Sequence, residues 1–145
     1  MLKKIFMFFA ILMASVSAVC AQNSVGSYTG TLDIVKMNDK NYNAVENQEF
    51  TIDEDLNLSG KVAKIGNMPG TIYIDLDIIE SGTTLTTAAS TCGSLKVLNF
   101  IPITLALTDF QGTVDGDNIE FTLKCNGLYK GSPIAAEVHY TGNKK

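Results

Sequence analysis

Between residues 110 and 125 the chain reads FQGTVDGDNIEFTLKC, with apolar positions on alternate residues either side of a polar centre. Phe110, Gly112 and Val114 share one face and Ile119, Phe121, Leu123 and Cys125 another; Gln111, Thr113, Asp115, Asn118, Glu120, Thr122 and Lys124 fall between them. A period of two sends successive side chains to opposite sides of a pleated sheet, so each half is a strand with one dry and one wet face. Asp115-Gly116-Asp117-Asn118 supplies the turn, because Gly takes positive φ without steric cost while Asp and Asn tolerate it and bond their own backbone. The stretch predicts an antiparallel hairpin.

The same period recurs along the chain. Tyr28, Gly30, Leu32 and Ile34 alternate with Thr29, Thr31, Asp33 and Val35, followed by a turn cluster at Asn38-Asp39-Lys40-Asn41 and a polar loop to Asn47. Phe50 and Ile52 open a strand that stops at Asp53-Glu54-Asp55, and Leu56, Leu58, Gly60 and Val62 restart the pattern as its hairpin partner. After Met68-Pro69-Gly70, Ile72, Ile74, Leu76 and Ile78 point inward against Tyr73, Asp75 and Asp77. Residues 84–94 are Thr-rich with a weak period and read equally as strand, loop or a short turn of helix. Ile103, Leu105 and Leu107 are out of phase with Phe110 and Gly112, so one residue must be absorbed near Thr108-Asp109 by a bulge or tight turn. Asn126-Gly127 and Gly131-Ser132-Pro133 bound a loop before a last strand of Ile134, Ala136, Val138 and Tyr140. Short strands punctuated by turns predict an all-β sandwich or barrel, and a barrel is preferred because closure removes the edges of such Val-, Ile- and Thr-rich strands.

The first residues, MLKKIFMFFAILMASVSAVCAQ, follow a different rule: a basic start, an apolar run, then small residues. This order predicts a signal peptide over residues 1–21, cleaved after Ala21, and a mature domain over 22–145. The apolar run falls short of the roughly 20 residues that span a bilayer. Lipid attachment at Cys20 is the alternative, weakened by Val19 where a small residue belongs. The expected location is periplasmic or extracellular, with no integral membrane span after cleavage. Of 145 residues, 145 − 21 = 124 remain, which suits one domain with one core. Lys3 and Lys4 depart with the leader, so 9 basic residues face 15 acidic ones and the net charge becomes 9 − 15 = −6. An acidic chain without Arg has no electrostatic footprint for nucleic acid or anionic lipid.

The chemistry is sparse. Cys92 and Cys125 form a disulfide in an oxidising compartment or remain two buried thiols; with a single His they are too few for a structural zinc site. That residue, His139, sits beside Glu137 on the face opposite Val138 and Tyr140, which makes it a water-facing strand residue rather than a catalytic base. Asp75 and Asp77 share a face and could hold a cation or act as acid and base, but opposite a wholly aliphatic face they mark the solvated side. Replacing any of these three is expected to be tolerated. Asp53, Asp55 and Asn57 imitate the start of a calcium loop, yet Leu58 stands where the tight-turn Gly belongs and Lys64 where the bidentate Glu belongs. No catalytic residue, metal or cofactor is expected.

Gly26-Ser27-Tyr28-Thr29-Gly30-Thr31-Leu32, Asn67-Met68-Pro69-Gly70, Ile101-Pro102-Ile103-Thr104-Leu105, the Gly112 to Leu123 hairpin and Tyr140-Thr141-Gly142 together resemble the calycin-like domain family of secreted bacterial proteins. The resemblance implies an antiparallel up-and-down β-barrel of about eight strands, related in architecture to lipocalins, fatty-acid-binding proteins and avidins. Gly26-x-Tyr28 stands where lipocalins carry Gly-x-Trp, and no Arg exists to pack across it, so the likeness transfers no ligand. In such a barrel Tyr28, Leu32, Ile34, Ile72, Ile74, Leu76, Phe121 and Tyr140 are the candidate lining, and the expected function is non-enzymatic binding of a small hydrophobic molecule. The alternative is a filled core whose loops or outer surface bind or inhibit another protein.

Overall fold

Strand-forming patterns this frequent have to be paired somewhere, and the computed structural model, which describes residues 23–66, 68–98 and 101–145, pairs them into a ring. Among these residues the strands are β1 Gly26–Met37, β2 Lys40–Tyr42, β3 Val45–Ile52, β4 Asn57–Val62, β5 Gly70–Asp77 and β6 Ile79–Ser81, then β7 Thr84–Thr86, β8 Thr91–Val97, β9 Ile101–Asp115, β10 Asn118–Tyr129 and β11 Ser132–Lys144. Eight of them, in the order β1-β3-β4-β5-β8-β9-β10-β11, form a closed antiparallel up-and-down barrel, because β11 returns to pair with β1 from Lys144↔Tyr28 to Ala136↔Met37. β2 is a flap on β1, and β6 and β7 form the tip of the connection from β5 to β8, with β7 touching β9 at Gly112↔Leu85 and Thr113↔Thr84. The expected all-β barrel of about eight strands is the fold observed.

The expected 110–125 hairpin forms, in the register Phe110↔Leu123 through Asp115↔Asn118, with Gly116 at φ 60 in the turn. The expected irregularity also occurs: the β9–β10 ladder slips between Leu107 and Asp109. A second slip was not expected. Opposite β11, Leu32 faces Tyr140 and Ile34 faces His139, which leaves Asp33 without a partner. Such a bulge puts two consecutive residues on one side of the sheet. Asp33 and Ile34 therefore both face out, Ile34 at 39% exposure, and Val35 turns into the core at 1%. The inward placement of Ile34 and the outward placement of Val35 are corrected by that one extra residue.

Three segments read as loop or left open carry strand. Residues 84–94 supply β7 and the first four residues of β8; β2 and the start of β3 occupy the expected loop before Asn47; and β10 runs on through Gly127 to Tyr129, turning at Lys130 and Gly131 into β11. The leader, its cleavage site after Ala21, Gln22, Cys20 and Asn67 of the family-like motif lie outside the described residues.

Apolar side chains fill the interior. Tyr28, Leu32, Val62, Leu95 and Tyr140 are fully buried, and Phe50, Phe121 and Leu76 are 1% exposed. Phe50 stands edge-on to Phe121 at 5.3 Å and to Tyr140 at 4.7 Å, and Phe121 also stacks at a tilt on Phe110 at 5.9 Å and Tyr140 at 5.3 Å. Offset and edge contacts of this kind are the arrangements that ring quadrupoles favour. Ser24 seals one end: its N–H and Oγ–H both donate to Glu80 Oε1, at 3.2 and 2.6 Å, and its carbonyl accepts from Tyr28 Oη at 2.6 Å. Burial, with Glu80 and Asp117 nearby, pushes the Tyr28 phenol up to about 12. The outer faces carry Thr, Lys, Asp and Glu, and no helix of the described residues is long and apolar enough to cross a membrane.

Candidate functional site: outer grooves over a filled barrel

Seven of the eight expected lining residues, Tyr28, Leu32, Ile72, Ile74, Leu76, Phe121 and Tyr140, do face the interior, each at 2% exposure or less. They are brought together as a packed core. Tyr140 Oη donates to the Gln48 carbonyl at 2.9 Å and Tyr28 Oη to Ser24, so both phenols are already satisfied within the chain. Burial first, then Glu49 and Tyr28, push the Tyr140 phenol up to about 12. Among the described residues every buried side-chain nitrogen or oxygen has a partner, and no three His, Cys, Asp or Glu side chains cluster as metal ligands.

His139 faces outward as expected but is not a bystander. Its Nδ1 lies 2.5 Å from Asp33 Oδ1 and its Nε2 2.7 Å from Glu120 Oε2, leaving the side chain 18% exposed. Burial alone would lower the imidazole, but hydrogen bonds to Asp33 and Glu120 and their charges outweigh it and hold the pKa above its ordinary value. The clasp spans β1, β11 and β10, across the seam where the first and last strands close the ring, and the Asp33 bulge brings the carboxylate within reach.

Cys92 and Cys125 meet as free thiols. Cys92 is the residue that β8 inserts between Gly93 and Thr91, opposite Leu105 and Ala106; Cys125 faces Leu107 across the other edge of β9. A thiol–thiol hydrogen bond lowers the Cys92 pKa and raises that of Cys125, and burial raises the latter further. Asp75 and Asp77 are exposed and share Asn57, whose Nδ2 donates to both at 2.7 and 3.0 Å. Asp53 uses Oδ1 to accept from the Asp55 and Asn57 amides, each at 3.0 Å, which is the work of a turn-forming side chain.

The open spaces are on the outside. One of them, about 780 Å³, lies where the β9–β10 ladder stops and is lined by Pro102, Ile103, Ala106, Leu128, Pro133 and Ala135 among others. The β9–β10 ladder ends at Ala106↔Asn126, so Ile101–Leu105 and Gly127–Tyr129 have no ladder partners on their facing edges. Leu128 is 66% exposed there, and Leu98, in the turn before β9, is 65% exposed. A second space of about 400 Å³ lies over β7, β9 and β10, lined by Thr84, Thr86, Gln111, Thr113, Glu120 and Thr122 above Leu85, Gly112 and Phe121. Sequence reasoning missed both grooves. The available signal for the first was Pro102 and Pro133 flanking an apolar Leu128 just after Gly127.

With this geometry in hand, comparison of the chain with family models, with curated proteins and with solved structures finds no match.

Proposed function

We propose that this is an exported, non-enzymatic, calycin-like binding barrel that works through its outer surface and takes an extended segment of another polypeptide into the groove between β9 and the β10–β11 hairpin. The observation that carries the reading is the pair of strand edges left without ladder partners beside an apolar groove of about 780 Å³. An extended peptide satisfies such edges through its main chain and seats alternate side chains on Leu128, Pro133 and Ala135, the mode by which strands are added to open sheet edges. Export rests on the leader pattern of residues 1–21, and the calycin-like assignment on the short motifs together with the barrel. The other reading, a small hydrophobic molecule in the lumen, rests on the apolar composition of the lining; such a ligand has to displace the Phe50–Phe121–Tyr140 contacts to enter.

Short peptides alternating Val and Thr, made soluble by terminal lysines, and a hydrophobic fluorophore titrated separately against the mature chain test the two. Saturable peptide binding that is lost when alternate peptide amides are N-methylated, with no saturable fluorophore uptake, is the expected result. Saturable uptake of the fluorophore without peptide binding would transfer the function to the lumen.

A further inference from the structure

The net charge of −6 on residues 22–145 hides how the fold sorts that charge. Neighbouring barrel strands are antiparallel throughout, so the ends of β1, β4, β8 and β10 and the starts of β3, β5, β9 and β11 lie at one end of the ring. The rim there carries Lys40, Lys61, Lys64, Lys96 and Lys130 against Asp39 and Glu46, which gives 5 − 2 = +3. Below it a cross-strand row of Asp109, Lys124, Glu137 and Lys36 cancels to zero. The rest of the barrel, down to the opposite end, holds two lysines and eleven acids, or 2 − 11 = −9. Among the described residues the ion pairs join His139 to Asp33 and Glu120, and Lys145 to Glu49, so none neutralises a rim lysine.

The same rim exposes the two barest large apolar side chains of the described residues. Leu128, near the end of β10, is 66% exposed and Leu98, in the turn from β8 to β9, is 65% exposed. Leu98 is held at φ 56, a left-handed conformation that Asn or Gly adopts at lower cost, so neither packing nor backbone geometry accounts for a leucine there. Tyr42 and Tyr129 stand half-buried at this end, with Lys130 Nζ 5.4 Å from the centre of the Tyr129 ring. Projecting leucines, phenols set back from them and lysines around both match the layers of a bilayer surface: apolar tips leave water, Tyr rings sit at the boundary and Lys meets phosphate. The lysines come from four stretches around the mouth, namely the β1–β2 turn, the end of β4 with the loop after it, the end of β8 and the β10–β11 turn. A single extended peptide beside β9 reaches only part of that circle, whereas a flat surface meets all of it. The acidic far end does not forbid the approach. Exposed charges further from the membrane than about 10 Å are largely screened at 0.1 M salt, and a strand of 12 residues such as β1 spans roughly 40 Å along its length.

We propose that this end of the barrel docks end-on against an anionic phospholipid surface, with Leu98 and Leu128 inserted as apolar tips and the five rim lysines facing the headgroups.

The test is co-sedimentation of residues 22–145 with vesicles of phosphatidylcholine alone and of equal parts phosphatidylcholine and phosphatidylglycerol. The expected result is saturable pelleting with the anionic vesicles only, lost in roughly 1 M salt, where the screening length shrinks to about 3 Å. Leu98→Asn suits its left-handed backbone and should fold as well as wild type while weakening vesicle binding about tenfold, the scale of one leucine left in water. Lys40→Gln and Lys130→Asn should each weaken it about fivefold; thermal unfolding reports whether each variant is folded. The proposal is overturned by no pelleting with anionic vesicles, by equal pelleting with both compositions, or by undiminished binding in folded Leu98→Asn or in both folded lysine variants. Binding of poly-glutamate as tight as that of the vesicles also overturns it, by making the partner an acidic polypeptide. Leu98 and Lys40 do not line the peptide groove, so Leu98→Asn and Lys40→Gln should leave peptide binding intact, and either site can fail without the other.

Discussion

β9 and β10 are neighbours along most of their length, yet the two halves of that pairing behave differently. From Asp109 to Asp115 the strands run in register around a tight turn, with Phe110, Val114, Ile119, Phe121 and Leu123 buried beneath. Beyond Ala106↔Asn126 the ladder stops: Pro102 has no amide hydrogen to give, Gly127 still lies against Thr104 and Ile103 without pairing, and the exposed residues are Leu128, Pro133 and Ala135. One half is held by a stack of rings and the other is left with open edges. The same two strands thus provide a packed half and an open-edged half, the division on which the proposed peptide site rests, since sites are most reliable when a stiff scaffold presents them.

The sharpest way to break this contrast is at Phe121, which touches Phe50, Phe110 and Tyr140 at once. Phe121→Ala removes the shared ring and leaves a cavity in a wall that cannot collapse around it, at a cost of about 3–5 kcal/mol. Urea unfolding should show a large fall in midpoint with an unchanged slope. A loss below about 1 kcal/mol would mean that the interior is loose enough to admit a ligand.

The next effect is redox. Oxidation of Cys92 and Cys125 by exchange with oxidised glutathione, which takes up the two electrons and two protons as reduced glutathione, ties the strands flanking β9 together. The closed loop should add about 3–4 kcal/mol to stability if formed without strain. Thiol titration in denaturant after oxidation should find none free, and unfolding with and without reductant should differ by that amount. Two titratable thiols in the oxidised preparation would show that the pair meets only as thiols.

A smaller effect concerns the clasp outside the closure seam. With carboxylates on both nitrogens, the His139 ring serves both only as an imidazolium. Its folded pKa is raised, so its contribution is fully present below the unfolded value of about 6.5 and disappears as pH rises through the folded value. His139→Gln should therefore cost stability at acid pH and approach wild type at alkaline pH. The difference should stay within about 1 kcal/mol because Asp33 and Glu120 are half exposed to screening solvent. Parallel thermal melts across that range check the sign, and a gap that widens with pH refutes the clasp.

These features were unequally legible in the sequence. Alternation alone placed Phe110 through Cys125, Ile72 through Ile78 and the slip near Thr108, because a buried face leaves a period that can be counted. It failed at Ile34 and Val35, since a bulge that adds one residue opposite His139 leaves no local mark; Leu32-Asp33-Ile34-Val35 scans as unbroken alternation. His139 was correctly put on the outer face, but its partners come from two other strands, and cross-strand neighbours depend on register between segments far apart in the chain. The apolar lining was likewise identified residue by residue, whereas whether those side chains leave a void depends on how the rings of Phe50, Phe121 and Tyr140 meet. Composition carries no such information.

The smallest effect on stability carries the largest expected effect on binding. Leu128 is 66% exposed at the edge of the groove, on the stretch of β10 that has lost its β9 partner, so Leu128→Asp removes no core contact and should change stability by no more than about 0.5 kcal/mol. The same change puts a charge where an extended peptide would lay an apolar side chain, and it must lose water to stay bound. Binding of the Val/Thr peptides should fall beyond detection while the melting curve is unmoved. Leu128→Met, which keeps an apolar surface, should restore it. A peptide that binds Leu128→Asp as well as wild type would place the recognition surface elsewhere on the wall, and the parting of β9 and β10 would then be only the irregular end of a hairpin.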